Sequence, residues 1–261
     1  MSLMSKKYRL WVLCIASLCV LSIAAIAPPI PQPQDYHQFA DQRGFLGIAN
    51  FMNTVSSLAL LLAGLSGLKF LFASEGAAAA HAFSDAHERQ PYLVFFLGVG
   101  VAGIGSAYYH LAPDNGRLMW DRLPIALAIM ALLAATLSER ISQQSGRLLL
   151  PILVVVGVAS VMHWHWTEQQ GRGNLNFYIV AQFYSILVIV LLCIFFPSRY
   201  THGAGILAAF AWYGVAKLAE IGDDKIFELG EVVSGHTAKH LIAALAACRI
   251  LKMLKERRLR H

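Results

Sequence analysis

Residues 91–121 read PYLVFFLGVGVAGIGSAYYHLAPDNGRLMWD, and the reading of this stretch decides the fold. Pro91 to Ala112 is an apolar run of the length, roughly 20 residues, that crosses a hydrocarbon core as a helix. Pro113-Asp114-Asn115-Gly116 are strong breakers, and a second apolar run follows from Leu118 to Leu137. Two spans joined by so short a turn form an antiparallel helical hairpin. Gly98, Gly100, Gly103 and Gly105 line the first arm, where small residues let membrane helices approach closely. The hairpin also carries polar side chains at one end, with Ser106 and His110 before the turn and Asp121 after it. An ionisable group at the end of an apolar run is expensive unless it has a partner or a function.

The rest of the chain agrees with a membrane reading. Of its 261 residues, 57% are hydrophobic and only 14% charged, far from the balance of a soluble globular domain. Lipid admits only helices or closed barrels, and strict alternation is absent, so the fold class is all-α, a polytopic transmembrane helical bundle. Further spans read as Leu10–Ala27, Ile48–Phe72, Leu148–His163, Leu175–Phe196, Gly203–Glu220 and Val232–Leu254. That makes a seven-helix core plus an extra N-terminal helix. The organisation is residues 1–31 as this extra helix or signal anchor, 32–254 as the core, and 255–261 as a basic cytoplasmic tail. Pro28 and Pro29 directly after Ala25-Ile26-Ala27 disfavour cleavage there.

The net charge of +6 comes from crowded ends, Lys6, Lys7 and Arg9 at one and Lys252, Lys255, Arg257, Arg258 and Arg260 at the other. Such flanks orient a membrane protein on anionic headgroups, so no nucleic-acid partner is expected. Alternating the loops places fourteen of the 21 Lys and Arg on the side of the N-terminus. Both termini are therefore expected in the cytoplasm, with His110, Asp121, His236 and His240 toward the outer half. Cys14, Cys19, Cys193 and Cys248 lack paired spacing and read as small buried hydrophobes.

Residues four apart on a helix share a face. Ser106 and His110 therefore point together, as do His236 and His240 in His236-Thr237-Ala238-Lys239-His240. Two imidazoles from the last helix and one from the hairpin give three nitrogen ligands, the donor set of a catalytic zinc site with an open position for water. The other histidines have plainer explanations. His163 and His165 flank Trp164 at a helix end, and His37, His81, His87, His202 and His261 fall in loops or at a terminus. Lys217, Glu220, Asp223, Asp224 and Lys225 read as an ion-paired cap or as a polar lining for a lipid headgroup. Asn50, Asn53 and Thr54 read as a cap or as hydrogen bonds between helices.

Gly105-Ser106 with Tyr109-His110, Asp121 and His236-x-x-x-His240 resemble the motifs of the alkaline ceramidase family, within the seven-helix membrane hydrolases that also include the progestin and adiponectin receptors. Asn50 to Leu58 looks like the start of that family's first core helix, and the chain is most similar to bacterial members, which implies a bacterial inner membrane. The resemblance implies seven core helices and a zinc ion, Zn2+, held by His110, His236 and His240. It further implies catalytic roles for Asp121 and Ser106, and hydrolysis of a ceramide-like membrane lipid to a sphingoid base and a free fatty acid. Tyr109, Lys217 and Glu220 are the candidate substrate-binding residues. Animal members have an acidic calcium site before the first core helix; here only Asp41 stands in that stretch, so calcium is not expected. The alternatives are a zinc-containing lipid or fatty-acid receptor of the same superfamily with little turnover, and a hydrolase of another acyl lipid.

Overall fold

A computed structural model describes residues 5–73 and 82–260; His81 lies outside the described residues. In chain order the helices are α1 (Lys6–Ile26), α2 (Phe51–Ala73), α3 (Arg89–Leu111), α4 (Asn115–Arg140), α5 (Gln143–Gln169), α6 (Asn176–Phe195), α7 (Gly205–Ile221), a short α8 (Asp223–Glu228) and α9 (Gly235–Glu256). Among the described residues there is no strand, only two isolated bridges. The first six helices are long and apolar enough to span a membrane. At 17 residues, α7 is about 25 Å long, and α9 interrupts its apolar face with histidine, lysine and arginine. Together they form the expected all-α polytopic bundle, seven long core helices with α1 at the edge.

Local chemistry sets the helix ends. The Asp114 side chain accepts from Arg117 N (2.8 Å), so α4 begins at Asn115, earlier than its apolar run. Ser142 caps α5 in the same way, and Ser234 caps α9 by accepting from Thr237 N at 3.1 Å. The α5 helix also runs past the expected His163 to Gln169. Trp164 is fully buried there and donates to Glu168 (3.2 Å), which anchors the extra turn. Two helices are irregular. In α2, Ser56 and Ser57 both donate to the Asn53 carbonyl (3.1 and 2.9 Å), competing for a helical acceptor beside the break at Ser57. Residues Val180–Tyr184 of α6 form a π turn.

The hairpin closes through glycine. A Cβ on Gly105 of α3 would lie 2.1 Å from the Trp120 carbonyl oxygen of α4, and one on Gly64 of α2 would lie 2.4 Å from Gly100 N of α3. These contacts are backbone to backbone, and only glycine permits them. The α4 helix is the most enclosed of the six apolar spans, and the largest core cluster gathers around it, with Phe95, Phe96, Leu132, Leu133, Ile189 and Ile250 among its members. By contrast, α1 buries only Ala24 and lies against α6, where Ser17 Oγ meets Tyr184 OH at 3.0 Å and Asn176 Nδ2 donates to the Ala24, Ala27 and Pro28 carbonyls.

The basic C-terminal flank divides. Lys252 is exposed, but Arg257 is 1% exposed and turns inward onto Glu139 of α4. It stacks on Phe83, Tyr92 and Tyr200 and donates to the Ala82 carbonyl (2.7 Å). Tyr92 OH donates to the same Glu139 carboxylate at 2.6 Å.

Candidate metal centre

Helix periodicity, the hairpin and the position of α9 bring His110, His236 and His240 together. All three are buried, and each offers a ligand atom within 4.8 Å of the others. Their ring centroids form a nearly equilateral triangle of 4.8, 5.0 and 5.0 Å. His110 Nε2 and His240 Nε2 are 3.3 Å apart. Two nitrogens bound tetrahedrally at 2.0–2.1 Å would be separated by about 3.3 Å, so this edge already has the spacing of a zinc site. Phe39 packs on His110 and His236, at 4.7 and 4.6 Å between ring centroids, and supplies an apolar wall.

A second layer of hydrogen bonds orients the rings. Ser56 Oγ donates to the Asn53 carbonyl, so toward His240 Nδ1, 2.8 Å away, it acts as acceptor. His240 therefore carries its proton on Nδ1 and presents the Nε2 lone pair to the cluster. At His236 the neighbour is Lys239, whose Nζ lies 2.9 Å from Nε2. An ammonium only donates, so this nitrogen carries a lone pair. Lys239 Nζ also donates to Glu220 at 2.9 Å and keeps that partner if a metal binds His236. Asp223 accepts from His236 N (2.6 Å) and from Ala40 N (3.0 Å), tying α9 to the loop before α2. Asn50 Nδ2 donates to the His110 carbonyl (2.8 Å). His110 Nδ1 is buried without a hydrogen-bond partner.

Three imidazole nitrogens with no carboxylate among them suit zinc and other borderline divalent ions better than calcium or magnesium. Asp41 stands outside this set. Arg43 grips it through two hydrogen bonds of 2.8 and 2.9 Å, and that guanidinium holds the Asp41 carboxyl below the usual carboxylate range.

Ser106 and Asp121 stand at the edge of the triad. Ser106 Oγ is 3.3 Å from His240 Nε2 and 3.1 Å from Ser57 Oγ. Asp121 is 8% exposed and lies on the same side of the triad as Ser106. Both line a cavity of about 360 Å³, as do His240, Lys239, Lys217 and Glu220. Much of its wall is apolar, with Val99, Ile125, Ile129, Leu132 and Ile250 among the lining residues. Lys217 pairs with Glu220, which also accepts from Tyr36 OH at 3.2 Å. Tyr109 is placed differently: it is 1% exposed, lies outside the cavity lining, and its hydroxyl meets His37 Nδ1 at 2.8 Å.

Several members of the site carry no signal in a one-dimensional reading. Lys239 stands inside the histidine pair, and its three-residue spacing from His236 is visible only in hindsight. Ser56 and Ser57 resemble ordinary helix hydroxyls until α9 is packed beside them. Arg122 follows Asp121 in the hairpin and shares its cavity.

A polytopic helical bundle with three buried histidines converging beside an apolar cavity defines a class, membrane proteins with a candidate metal centre. The family follows from comparison: residues 46–218, about two thirds of the chain, match the family model for ceramidase, and the chain belongs to the ceramidase family. The matched region contains Ser106, His110 and Asp121 and ends before His236 and His240. Comparison with curated proteins returned no match. Membership supports hydrolysis of an amide in a ceramide-type lipid.

Proposed function

We propose that the chain is a zinc-dependent intramembrane amidohydrolase that cleaves a ceramide-like lipid to a sphingoid base and a free fatty acid. The observation that carries this reading is the convergence of three buried imidazoles on an edge with zinc spacing, beside Ser106, Asp121 and an apolar cavity. His110, His236 and His240 would hold the ion, which when bound acidifies a water and polarises the scissile carbonyl.

The remaining steps belong to the chain. The apolar cavity wall accepts the acyl chain and leaves the amide at the polar end, and burial there excludes bulk water. Asp121 takes a proton from the attacking water and delivers it to the leaving amine nitrogen. Ser106 donates a hydrogen bond to the oxygen that gains charge, worth about 3 kcal/mol of barrier for a well-aimed donor. Glu220, held between Lys217 and Lys239, gives the polar end a fixed acceptor for a headgroup hydroxyl. We place the termini in the cytoplasm and the metal end toward the outer half on the distribution of Lys and Arg.

The test is release of fatty acid from ceramides of varied chain length by purified protein in detergent. Wild type should turn over, and Asp121→Asn, which keeps shape but cannot accept the proton, should lose at least about 100-fold while retaining bound metal. Turnover within threefold of wild type in Asp121→Asn would rule out Asp121 as the base.

A further inference from the structure

Arg122, near the start of α4, is 7% exposed. Its guanidinium lies over the rings of Trp164, Tyr178 and Tyr36, at 4.3, 4.9 and 5.5 Å from their centroids, and Nη2 donates to Gln32 Oε1 at 2.5 Å. Nη1 is buried without a hydrogen-bond partner. Among the described residues Arg122 takes part in no ion pair: Glu220 is held by Lys217 and Lys239, and Asp121, its neighbour in sequence, makes no salt bridge with it. Aromatic faces offset part of the desolvation of a buried cation, but an unpaired buried charge remains unfavourable. Arg122 and Gln32 both line the cavity that reaches His240.

A cavity with apolar walls and one unpaired guanidinium at its polar end is complementary to an amphiphile with an anionic head. A neutral headgroup would fill the space but give Nη1 no anionic partner. Carboxylate and phosphate oxygens match a guanidinium N–H with a charge-assisted bond. We infer that Arg122 anchors the anionic head of a lipid held in this cavity, either the carboxylate of a released fatty acid or a phosphate monoester. The inference rests on the reading of the cavity as the lipid site.

Binding is read on full-length protein stripped of metal with chelator, so that it does not depend on the metal centre or on turnover. Dodecanoate, dodecyl phosphate and dodecanol are titrated by calorimetry in the same neutral micelles, and thermal unfolding of each variant is recorded. At least one anion should bind wild type about tenfold or more tightly than dodecanol, as expected for a hydrogen bond to a charged group. Arg122→Gln should bring that anion to the level of the alcohol, and Arg122→Lys should keep part of the preference. A stronger dodecanoate response identifies the released acid as ligand, and a stronger phosphate response identifies a phosphorylated headgroup. Equal binding of all three by folded wild type, or an anion preference that survives Arg122→Gln, overturns the inference. Ceramide turnover by metal-loaded wild type is scored separately, so its failure and this one are told apart.

Discussion

His240 is oriented for a metal in part by Ser56, whose hydroxyl lies on the far nitrogen of the ring. That hydroxyl accepts the Nδ1 proton and so keeps the Nε2 lone pair turned toward His110. Ser56→Ala removes that acceptor, and the expected result is a 10–100-fold loss of zinc affinity, measured by competition with a chelating dye, with unchanged helical circular dichroism. Ser56→Thr keeps the hydroxyl and should bind zinc close to wild type. The same residues show what a sequence reveals and hides. His236 and His240 are legible because i, i+4 histidines form a chelate on one helix, and His110 because a breaker turn follows it. Ser56, Asn53 and Lys239 become informative only when α2, α3 and α9 are packed, since each is within the range of ordinary helix residues until its partner from another helix is known.

Among the elements, the α3–α4 hairpin fixes the distance between His110 and Asp121, and Gly105 sets how closely its arms approach. A methyl group there would meet the Trp120 carbonyl at 2.1 Å, and a backbone atom cannot rotate away. Gly105→Ala should lower stability by about 1–3 kcal/mol and reduce both bound metal and turnover, read by thermal unfolding and metal content of the same preparation. Gly214→Ala in α7 is the control: nothing lies within 4 Å of its added Cβ, so stability should be unchanged or rise by roughly 0.5–1 kcal/mol. The hairpin was readable because Pro113 to Gly116 interrupt two apolar runs and the glycines recur on one arm. The short α8, the π turn in α6 and the extra turn of α5 were not, because they depend on tertiary partners: Asp223 on His236 and Ala40, Gln182 on Tyr213, and Trp164 on a buried pocket.

At the scale of the molecule, α3 and α4 each carry a polar cluster at both ends. Asp121 and Glu139 are separated by 18 residues of α4, about 27 Å, so the ionic cluster around Arg257 and Glu139 is remote from the metal centre. Composition and charge could place basic residues at the C-terminus but not turn Arg257 inward, since its partners Glu139 and Tyr92 lie far away along the chain. Arg257→Ala strands a buried carboxylate and should lower stability by about 3–5 kcal/mol, seen by thermal unfolding, while zinc affinity at the other end stays at the wild-type value. The central claim, that His110, His236 and His240 form one metal site, is tested most directly by the zinc content of protein purified without chelator, measured by mass spectrometry. The account predicts about one zinc per chain in wild type and almost none in His240→Ala; wild type without metal, or an unchanged zinc content in the variant, would contradict it.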